Sequence, residues 1–272
     1  MILRRDIMAL LEVNFMSRSL MRKVPIMVVL PMDKANLSGK SEITDNDNNT
    51  FKTLYLLHGI FGNYSDWVSE TRIQRLAEGR NLAVVMPSGE NSFYLDQPES
   101  GNFYGEFIGR ELVNITRKMF PLSRKKEDTF IAGLSMGGYG AIRNGLKYHE
   151  TFGCVAGLSS ALNFEQMLDE SYQVIACKKS AFGDPKEAIL SDKNPKVLVK
   201  NIKENPLGQF PKMYMACGTE DNLINSNRDF RDFLIENNVD LTYEEGPGAH
   251  TWEFWDTYIE KVLDWLPLKK PS

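Results

Sequence analysis

Ser135 lies in a glycine-rich stretch whose residue types and spacing could support nucleophilic chemistry. Residues 133–137 read Gly-Leu-Ser-Met-Gly, after an apolar run at 130–132 and before a segment with helical spacing at 139–148. A strand, a sharp turn and a helix in this order are the context in which Gly-x-Ser-x-Gly forms a nucleophile elbow. The glycines keep Cβ atoms out of the strained turn and leave the hydroxyl open to a substrate. The alternative is a turn in which the serine only caps the helix.

A base for this serine can be sought by elimination, because the chain has three histidines. His149 ends the helical segment after the elbow and is expected at the surface. His58 ends an apolar run and precedes the serine in the chain. His250 lies in a glycine-containing loop, 246–250, between the last predicted strand and the last predicted helix. Such a loop can carry a side chain over a sheet edge, so His250 is the predicted base; the alternative is a residue that only packs or caps there.

The acid is expected between the serine and the base, since an elbow serine on a parallel sheet is followed by Asp or Glu and then by His. Glu220 and Asp221 both lie in a loop directly after a predicted strand, where a carboxylate can reach the histidine. We predict Asp221 as the acid and hold Glu220 in reserve. The alternative for Asp221 is a helix cap.

Two backbone amides are predicted to form an oxyanion hole. One is the Met136 N–H, which directly follows the nucleophile; the other is the Ile60 N–H, in the loop after the third predicted strand. Gly59 and Gly62 would let this loop turn toward the site. The alternative is an ordinary turn between a strand and a helix.

The elements that must position these residues alternate along the chain. Apolar runs near 52–57, 82–86, 154–158 and 212–217 read as buried strands, and amphipathic segments such as 66–78, 104–119 and 252–266 as helices. This alternation predicts an α/β fold with a mainly parallel central sheet and helices on both faces. Two early strands, at 9–15 and 23–30, predict an antiparallel edge.

We expect residues 1–272 to form one domain, because no repeat or low-complexity linker divides them. Residues 159–210, of mixed and partly helical pattern, are predicted to be an insertion over the carboxyl edge of the sheet, where ligands bind in such folds. The polar stretch at 45–49 resembles the start of a calcium loop. Thr50 stands where that loop needs glycine, so we exclude calcium there.

Composition narrows the class of partner. The net charge of -4 offers no basic surface for nucleic acid, and no segment has the length of a membrane span. The three cysteines, Cys154, Cys177 and Cys217, are predicted to be reduced residues of a cytoplasmic protein. The N-terminal segment does not read as a signal peptide, and either Met1 or Met8 could be the natural start. Homo-oligomerisation is possible.

Taken together, the motifs resemble the esterase D-like esterases of the α/β-hydrolase fold, and the resemblance is closest to bacterial tributyrin esterases and short-chain acetyl esterases. It covers nearly the whole chain. The motifs that carry it surround the predicted site: His58-Gly59-x-x-Gly62 with Trp67, Gly133-Leu-Ser135-Met-Gly-Gly138, Gly218-Thr-Glu-Asp221 and His250-Thr-Trp252-x-x-Trp255.

The resemblance implies an α/β-hydrolase fold and a triad of Ser135, Asp221 and His250. It also implies hydrolysis of short acyl esters, of small molecules or carbohydrates, without cofactor or metal. Its members include S-formylglutathione hydrolases, feruloyl and acetylxylan esterases and mycolyltransferases. Alternatives are therefore one of those esterase activities, an acyltransferase using the same serine, or a scaffold that binds without catalysis. Tyr94, Phe103, Tyr104 and Phe182 are aromatic residues that we assign to the core rather than to the site.

Overall fold

The computed structural model describes residues 8–31, 50–164 and 178–268. Some predictions concern residues outside those ranges: the reduced state of Cys177 and the exclusion of calcium at 45–49. The choice between Met1 and Met8 as the start lies partly outside them, because Met1 is not described. Within the described ranges, no helix combines the length and the apolarity that a membrane crossing requires.

The described strands and helices alternate much as expected. The strands are β1 (Met8–Ser17), β2 (Arg22–Pro31), β3 (Lys52–Leu57), β4 (Leu82–Pro87), β5 (Asp96–Gln97), β6 (Asn102–Phe103), β7 (Thr129–Leu134), β8 (Cys154–Leu158), β9 (Lys212–Gly218) and β10 (Leu241–Gly246). The helices are α1 (Asp66–Glu70), α2 (Ile73–Glu78), α3 (Tyr104–Glu106), α4 (Leu112–Met119), α5 (Met136–Lys147), α6 (Lys178–Phe182), α7 (Pro185–Leu190), α8 (Pro195–Glu204), α9 (Ile224–Glu236) and α10 (Trp252–Trp265). A π-helical turn, Phe107–Glu111, joins α3 to α4, and a 3₁₀ turn, Lys126–Asp128, precedes β7.

Eight of these strands form one sheet in the order β1-β2-β4-β3-β7-β8-β9-β10. The pairings from β4 through β3, β7, β8 and β9 to β10 are parallel, whereas β2 runs antiparallel to both of its neighbours. The predicted mainly parallel sheet with an antiparallel edge is therefore confirmed. The carboxyl ends of β3, β7, β8, β9 and β10 lie at one edge, and the predicted site residues follow four of them.

The core lies on both faces of the sheet, because successive strand residues point to opposite sides. Along β3, Leu54 and Leu56 join one buried cluster, which includes Ile259 of α10. Tyr55 and Leu57 join the other, which contains much of α5. Burial on both faces explains why the parallel strands read as continuous apolar runs.

The segment predicted as one helix over 66–78 is two helices. Thr71 is extended, and its Oγ1 accepts a hydrogen bond from the Ile73 amide. The Arg72 amide donates instead to the Asp256 carboxylate, at 2.8 Å. These side chains take over amides that a continuous helix would bond to its own carbonyls, so the helix stops and restarts.

The helix predicted over 104–119 buries a different face near its end. The helical spacing of this segment predicts Ile115 and Met119 on the inward face. In the structure Met119 is exposed, and Thr116 is buried and hydrogen-bonded to the Tyr55 hydroxyl at 2.8 Å. The cause is the π-helical turn, which holds an extra residue and rotates the following side chains around the axis.

Candidate active site

The nucleophile elbow has the geometry that its sequence predicts. Ser135 links β7 to α5 with φ of 53°, in a region that residues other than glycine rarely adopt. Its side chain makes no capping hydrogen bond to α5. The alternative of a serine that only caps the helix therefore does not describe this turn.

Glycine is required on both sides of the serine for steric reasons. A Cβ on Gly133 would lie 2.3 Å from the Gly137 carbonyl oxygen. A Cβ on Gly137 would lie 2.5 Å from the carbonyl oxygens of Leu57 and His58. These neighbours are backbone atoms that cannot move aside, so the elbow presses directly against the end of β3.

His250 lies between the serine and Asp221. Its Nε2 is 2.9 Å from the Ser135 Oγ, and its Nδ1 is 2.9 Å from the Asp221 Oδ2. Because the ionised carboxylate only accepts hydrogen bonds, Nδ1 carries the proton and Nε2 is free to accept from the serine hydroxyl. The three side chains thus form a continuous chain of hydrogen bonds.

The Asp221 carboxylate is buried but well supplied with donors. Its Oδ1 accepts the Leu223 amide at 2.9 Å, while its Oδ2 faces His250. Burial acts to raise the Asp221 pKa, but the hydrogen bonds from His250 and Leu223 outweigh it and the pKa is lowered. The residue is therefore ionised at neutral pH, and it caps the chain before α9 while it faces the histidine.

Glu220, the reserve acid, points elsewhere. Its side chain is exposed and accepts the Gly248 amide in the loop that carries His250, and its other oxygen bonds to Thr219. Glu220 thus braces the backbone of the histidine loop, whereas Asp221 contacts the imidazole itself.

The loop after β3 lies against the elbow. A Cβ on Gly59 would be 2.7 Å from the Leu134 side chain and 3.6 Å from the Ser135 Cβ. Among the described residues, the Ile60 amide has no hydrogen-bond acceptor. The Met136 amide is in the first turn of α5, where amides lack partners within the helix. Neither predicted oxyanion donor is therefore engaged by a backbone acceptor among the described residues.

His58 holds this loop in place, a role that the sequence analysis missed. Its buried Nε2 accepts the Gly89 amide at 2.8 Å, so Nδ1 must carry the proton, which it donates to the Gly59 carbonyl at 2.6 Å. Burial lowers the pKa of the imidazole and keeps it neutral. The Tyr94 hydroxyl adds a bond to the His58 carbonyl at 3.0 Å. The assignment of four aromatic residues to the core holds for Tyr94, Tyr104 and Phe182, which are buried, and is wrong for Phe103, which is exposed.

Three tryptophans pack next to the base. Trp255 stands edge-on to His250, Trp252 edge-on to Trp255, and Trp67 edge-on to Trp252, with ring centroids 4.9, 5.1 and 5.6 Å apart. The Trp67 indole donates to the Leu57 carbonyl at 3.0 Å. This aromatic row therefore connects the histidine loop to the end of β3.

An open cavity of about 590 Å³ lies over the serine. Ser135, His250, Ile60 and Trp252 are among its lining residues. The cavity is large enough for a small ester with part of its alcohol group. Among the described residues, no group of three or more His, Cys, Asp or Glu side chains is arranged to hold a metal ion.

Comparison with known families agrees with this geometry. Residues 17–266 match the Esterase family, whose description is "Putative esterase". The chain belongs to the Esterase family. The prediction of an esterase of the α/β-hydrolase fold is confirmed, as is that of a hydrolase acting on carboxylic esters.

Relatives of this esterase extend over almost its whole length. An acetyl esterase from Caldicellulosiruptor saccharolyticus is 43% identical over 265 residues, which are 95% of this chain and 98% of the relative. Two Staphylococcus aureus structures are each 30% identical and cover 95% of this chain and 98% of their own. They are the fluorophosphonate-binding serine hydrolase F, with a TM-score of 0.85, and an S-formylglutathione hydrolase, with a TM-score of 0.81.

The structure brings all five predicted site residues of this esterase to one sheet edge. Ser135 and Asp221 each contact His250. Ile60 lines the same cavity as Ser135, and Met136 directly follows the serine. The sequence signal for His58 and Trp255 is that each lies within one of the motifs quoted above. These motifs do not indicate which atoms the side chains contact. For His58, the partner amide of Gly89 is 31 residues away in the chain.

Proposed function

We propose that this esterase hydrolyses short-chain acyl esters, acetyl esters in particular, through an acyl-enzyme on Ser135. The observation that carries the proposal is the hydrogen-bonded chain from the Ser135 Oγ through His250 to Asp221, with both links at 2.9 Å. Such a chain removes the hydroxyl proton as the oxygen attacks a carbonyl carbon. The acetyl esterase relative supports the acyl group.

In the first step, the Ser135 Oγ bonds to the ester carbonyl carbon and its proton passes to the His250 Nε2. Asp221 stabilises the imidazolium through Nδ1–H. The negative charge on the former carbonyl oxygen is held by the amides of Ile60 and Met136. The C–O bond to the alcohol then breaks, and the alcohol leaves with the proton from Nε2.

In the second step, water replaces the alcohol. His250 takes a proton from the water as the water oxygen attacks the acyl carbon. A second tetrahedral intermediate forms, and the same two amides hold its negative oxygen. The bond to Ser135 breaks, and the serine recovers its proton from His250. One ester and one water thus yield one acid and one alcohol, with no cofactor in the balance.

The charge around the cavity favours a neutral substrate. The carboxylates of Asp66, Glu70 and Glu253 line it, and none of the described lining residues is Lys or Arg. Glutathione carries two carboxylates, which these side chains would repel, whereas sugars and glycerol are uncharged. We therefore place neutral acetylated alcohols and carbohydrates before S-formylglutathione as substrates.

The decisive test is reaction of the serine. Wild-type protein should hydrolyse p-nitrophenyl acetate and be labelled by a fluorophosphonate probe, and Ser135→Ala should lose the labelling and about 10⁴- to 10⁶-fold in turnover. Full activity of Ser135→Ala would refute the assignment. Absence of labelling in the wild type would favour the alternative of a scaffold that binds without catalysis.

Substrate choice needs a separate experiment. Rates on acetylated xylan, feruloyl esters and S-formylglutathione should fall below those on simple acetyl esters. Products formed with acceptor alcohols present will separate hydrolysis from acyl transfer; dominance of transfer at modest acceptor concentration would favour the acyltransferase alternative.

The remaining proposals concern the domain organisation, the cellular location and the association of the chain. We place residues 1–272 in one domain, with 159–210 as an insertion, and this rests on β8 and β9 being neighbours in the sheet although 53 residues separate their ends, Leu158 and Lys212. The buried free thiols of Cys154 and Cys217 support a cytoplasmic location. Association of copies of the chain stays a prediction.

A further inference from the structure

Strand β8 is followed directly by two consecutive buried serines, Ser159 and Ser160. Neither side chain is exposed, and neither hydroxyl meets a partner at full hydrogen-bond geometry among the described residues. Burial of a hydroxyl without a partner costs free energy, so each of these groups requires a physical explanation.

The backbone around this pair is bonded to the nucleophile. The Ser135 amide donates to the Leu158 carbonyl at 2.9 Å, and the Ser135 carbonyl accepts the Ala161 amide at 3.1 Å. On the other side, the Ser159 amide donates to the Ala216 carbonyl of β9 at 2.8 Å. The pair thus lies between the strand that leads to the serine and the strand that leads to the acid.

The position of Ser159 in the sheet brings it next to the end of the strand that leads to the acid. Leu158 pairs with Ala216, so Ser159 lies next to Cys217, and the turn after Gly218 brings Asp221 back over the strand end with its amide 3.1 Å from the Gly218 carbonyl. Ser159 is among the groups that act to lower the pKa of the Asp221 carboxylate and of the Cys217 thiol, in agreement with this placement between them. Burial raises the Cys217 pKa to about 12, so the thiol stays neutral and the carboxylate is the charged acceptor.

We propose that the Ser159 hydroxyl donates to the Asp221 carboxylate during the reaction and acts as a positioning residue for the acid. The inference rests on the proposed role of Asp221. One carboxylate oxygen faces His250 and the other accepts the Leu223 amide, and a carboxylate has room for a third donor. Ser159 would hold Asp221 in the orientation that best stabilises the imidazolium.

The backbone of Ser159 offers a clean variant. Its φ of 44° is a conformation that glycine adopts without strain. Ser159→Gly therefore removes the hydroxyl without a penalty at this turn, and Ser159→Ala removes the hydroxyl but keeps the Cβ.

Ser160 is the matched control. It is equally buried, but its hydroxyl lies over the backbone of Gly138 and Gly157, where an added Cβ would meet it at 2.5 and 2.3 Å. Its own backbone is held by the side-chain amide of Asn227. Ser160→Ala thus removes a similar hydroxyl that does not face the acid.

The experiment is a double-mutant cycle on p-nitrophenyl acetate with Ser159→Gly, Asp221→Asn and both together. We expect Ser159→Gly and Ser159→Ala each to lower kcat about tenfold, the loss of one hydrogen bond to a charged group, with KM within about twofold of wild type. Ser160→Ala should keep kcat within about twofold. In the Asp221→Asn background, Ser159→Gly should change kcat by less than about twofold.

Three results would overturn the inference: wild-type kcat in both Ser159 variants, an undiminished loss in the Asp221→Asn background, or an equal loss in Ser160→Ala. If one Ser159 variant fails to fold, the other carries the comparison. If Asp221→Asn alone keeps wild-type kcat, the proposed triad fails. A large loss in Asp221→Asn without one at Ser159 refutes this inference alone.

Discussion

The imidazole of His250 stands edge-on to the indole of Trp255, with ring centroids 4.9 Å apart and the planes at 90°. Trp255 lies in the first turn of α10 and is almost fully buried. The helix therefore supplies a buried aromatic side chain against which the imidazole packs. The ring plane of His250 is set by this packing as well as by its two hydrogen bonds.

Removal of the Trp255 indole should lower both the esterase activity and the stability of the fold. Trp255→Ala should lower kcat about tenfold, since an aromatic pair contributes about 0.5–1.5 kcal/mol to the orientation of its members. It should also lower the free energy of unfolding by about 3–5 kcal/mol. Trp255→Phe, which keeps an aromatic ring, should remain within about threefold of wild-type kcat. Equal losses in the two variants, measured by steady-state kinetics and urea unfolding, would show that the ring contact does not orient the base.

Substitution of Asp221 and substitution of its neighbour Glu220 should have very different effects on kcat. Asp221→Asn should lower kcat about 10⁴-fold, because an amide cannot stabilise the imidazolium and favours the wrong tautomer of His250. Glu220→Gln should change kcat less than about threefold, because Glu220 contacts the Gly248 amide and not the ring. Steady-state rates on p-nitrophenyl acetate decide between them, and a large loss only in Glu220→Gln would reverse the assignment.

The buried His58 should matter for turnover although it never contacts substrate. His58→Phe leaves the Gly89 amide without an acceptor and releases the Gly59 carbonyl, so the Ile60 amide should lose its position. We expect a kcat loss of about 10²-fold, similar to the removal of one oxyanion donor. KM should change little. His149→Phe is the control, since His149 is remote from this loop, and a loss of equal size there would contradict the role of His58.

The ion pair between Arg228 and Glu245 predicts a specific acid sensitivity. Hydrogen bonds from Arg228, the largest cause, lower the Glu245 pKa from 4.5 to about 2. Because the folded-state pKa is depressed, the pair stabilises the fold fully above pH 4.5 and loses that effect as the pH falls toward 2. Between pH 5 and pH 3, wild type should lose about 1 kcal/mol more unfolding free energy than Glu245→Gln. Parallel losses in urea titrations of the two proteins would contradict the prediction.

The carboxylates that line the cavity should select against anionic substrates. The wild-type protein should prefer p-nitrophenyl acetate to mono-p-nitrophenyl succinate, and Glu70→Gln or Glu253→Gln should each raise kcat/KM for the succinate about two- to threefold at low ionic strength. The acetate should be unaffected in both variants. An exposed carboxylate remote from the site, changed in Glu236→Gln, is the control. A gain that persists in high salt would point to a cause other than charge.

The sequence predicted the contacts that chain order and sheet topology determine. Ser135 was recognisable because Gly133 and Gly137 leave no room for a Cβ at the turn. His250 and Asp221 followed because the ends of parallel strands meet at one edge, so two strand-end loops must bring their side chains together.

What could not be predicted depends on contacts between residues far apart in the sequence. The bond between His58 and the Gly89 amide joins two separate strand ends, and no local pattern records it. The break at Thr71 depends on Asp256, which is 184 residues away from Arg72 in the chain. The π-helical turn that exposes Met119 leaves no mark in the apolar spacing of the segment that contains it.

The order of the strands divides the proposed catalytic residues between two segments of the chain. Ser135 follows β7, whereas Asp221 and His250 follow β9 and β10, and the long connection from Leu158 to Lys212 lies between them. A chain cut within that connection leaves the proposed nucleophile on one fragment and the proposed acid and base on the other. If the proposed triad is correct, neither fragment alone would turn over substrate. Ester hydrolysis would then report on the association of the two fragments, the property that a split-enzyme sensor requires.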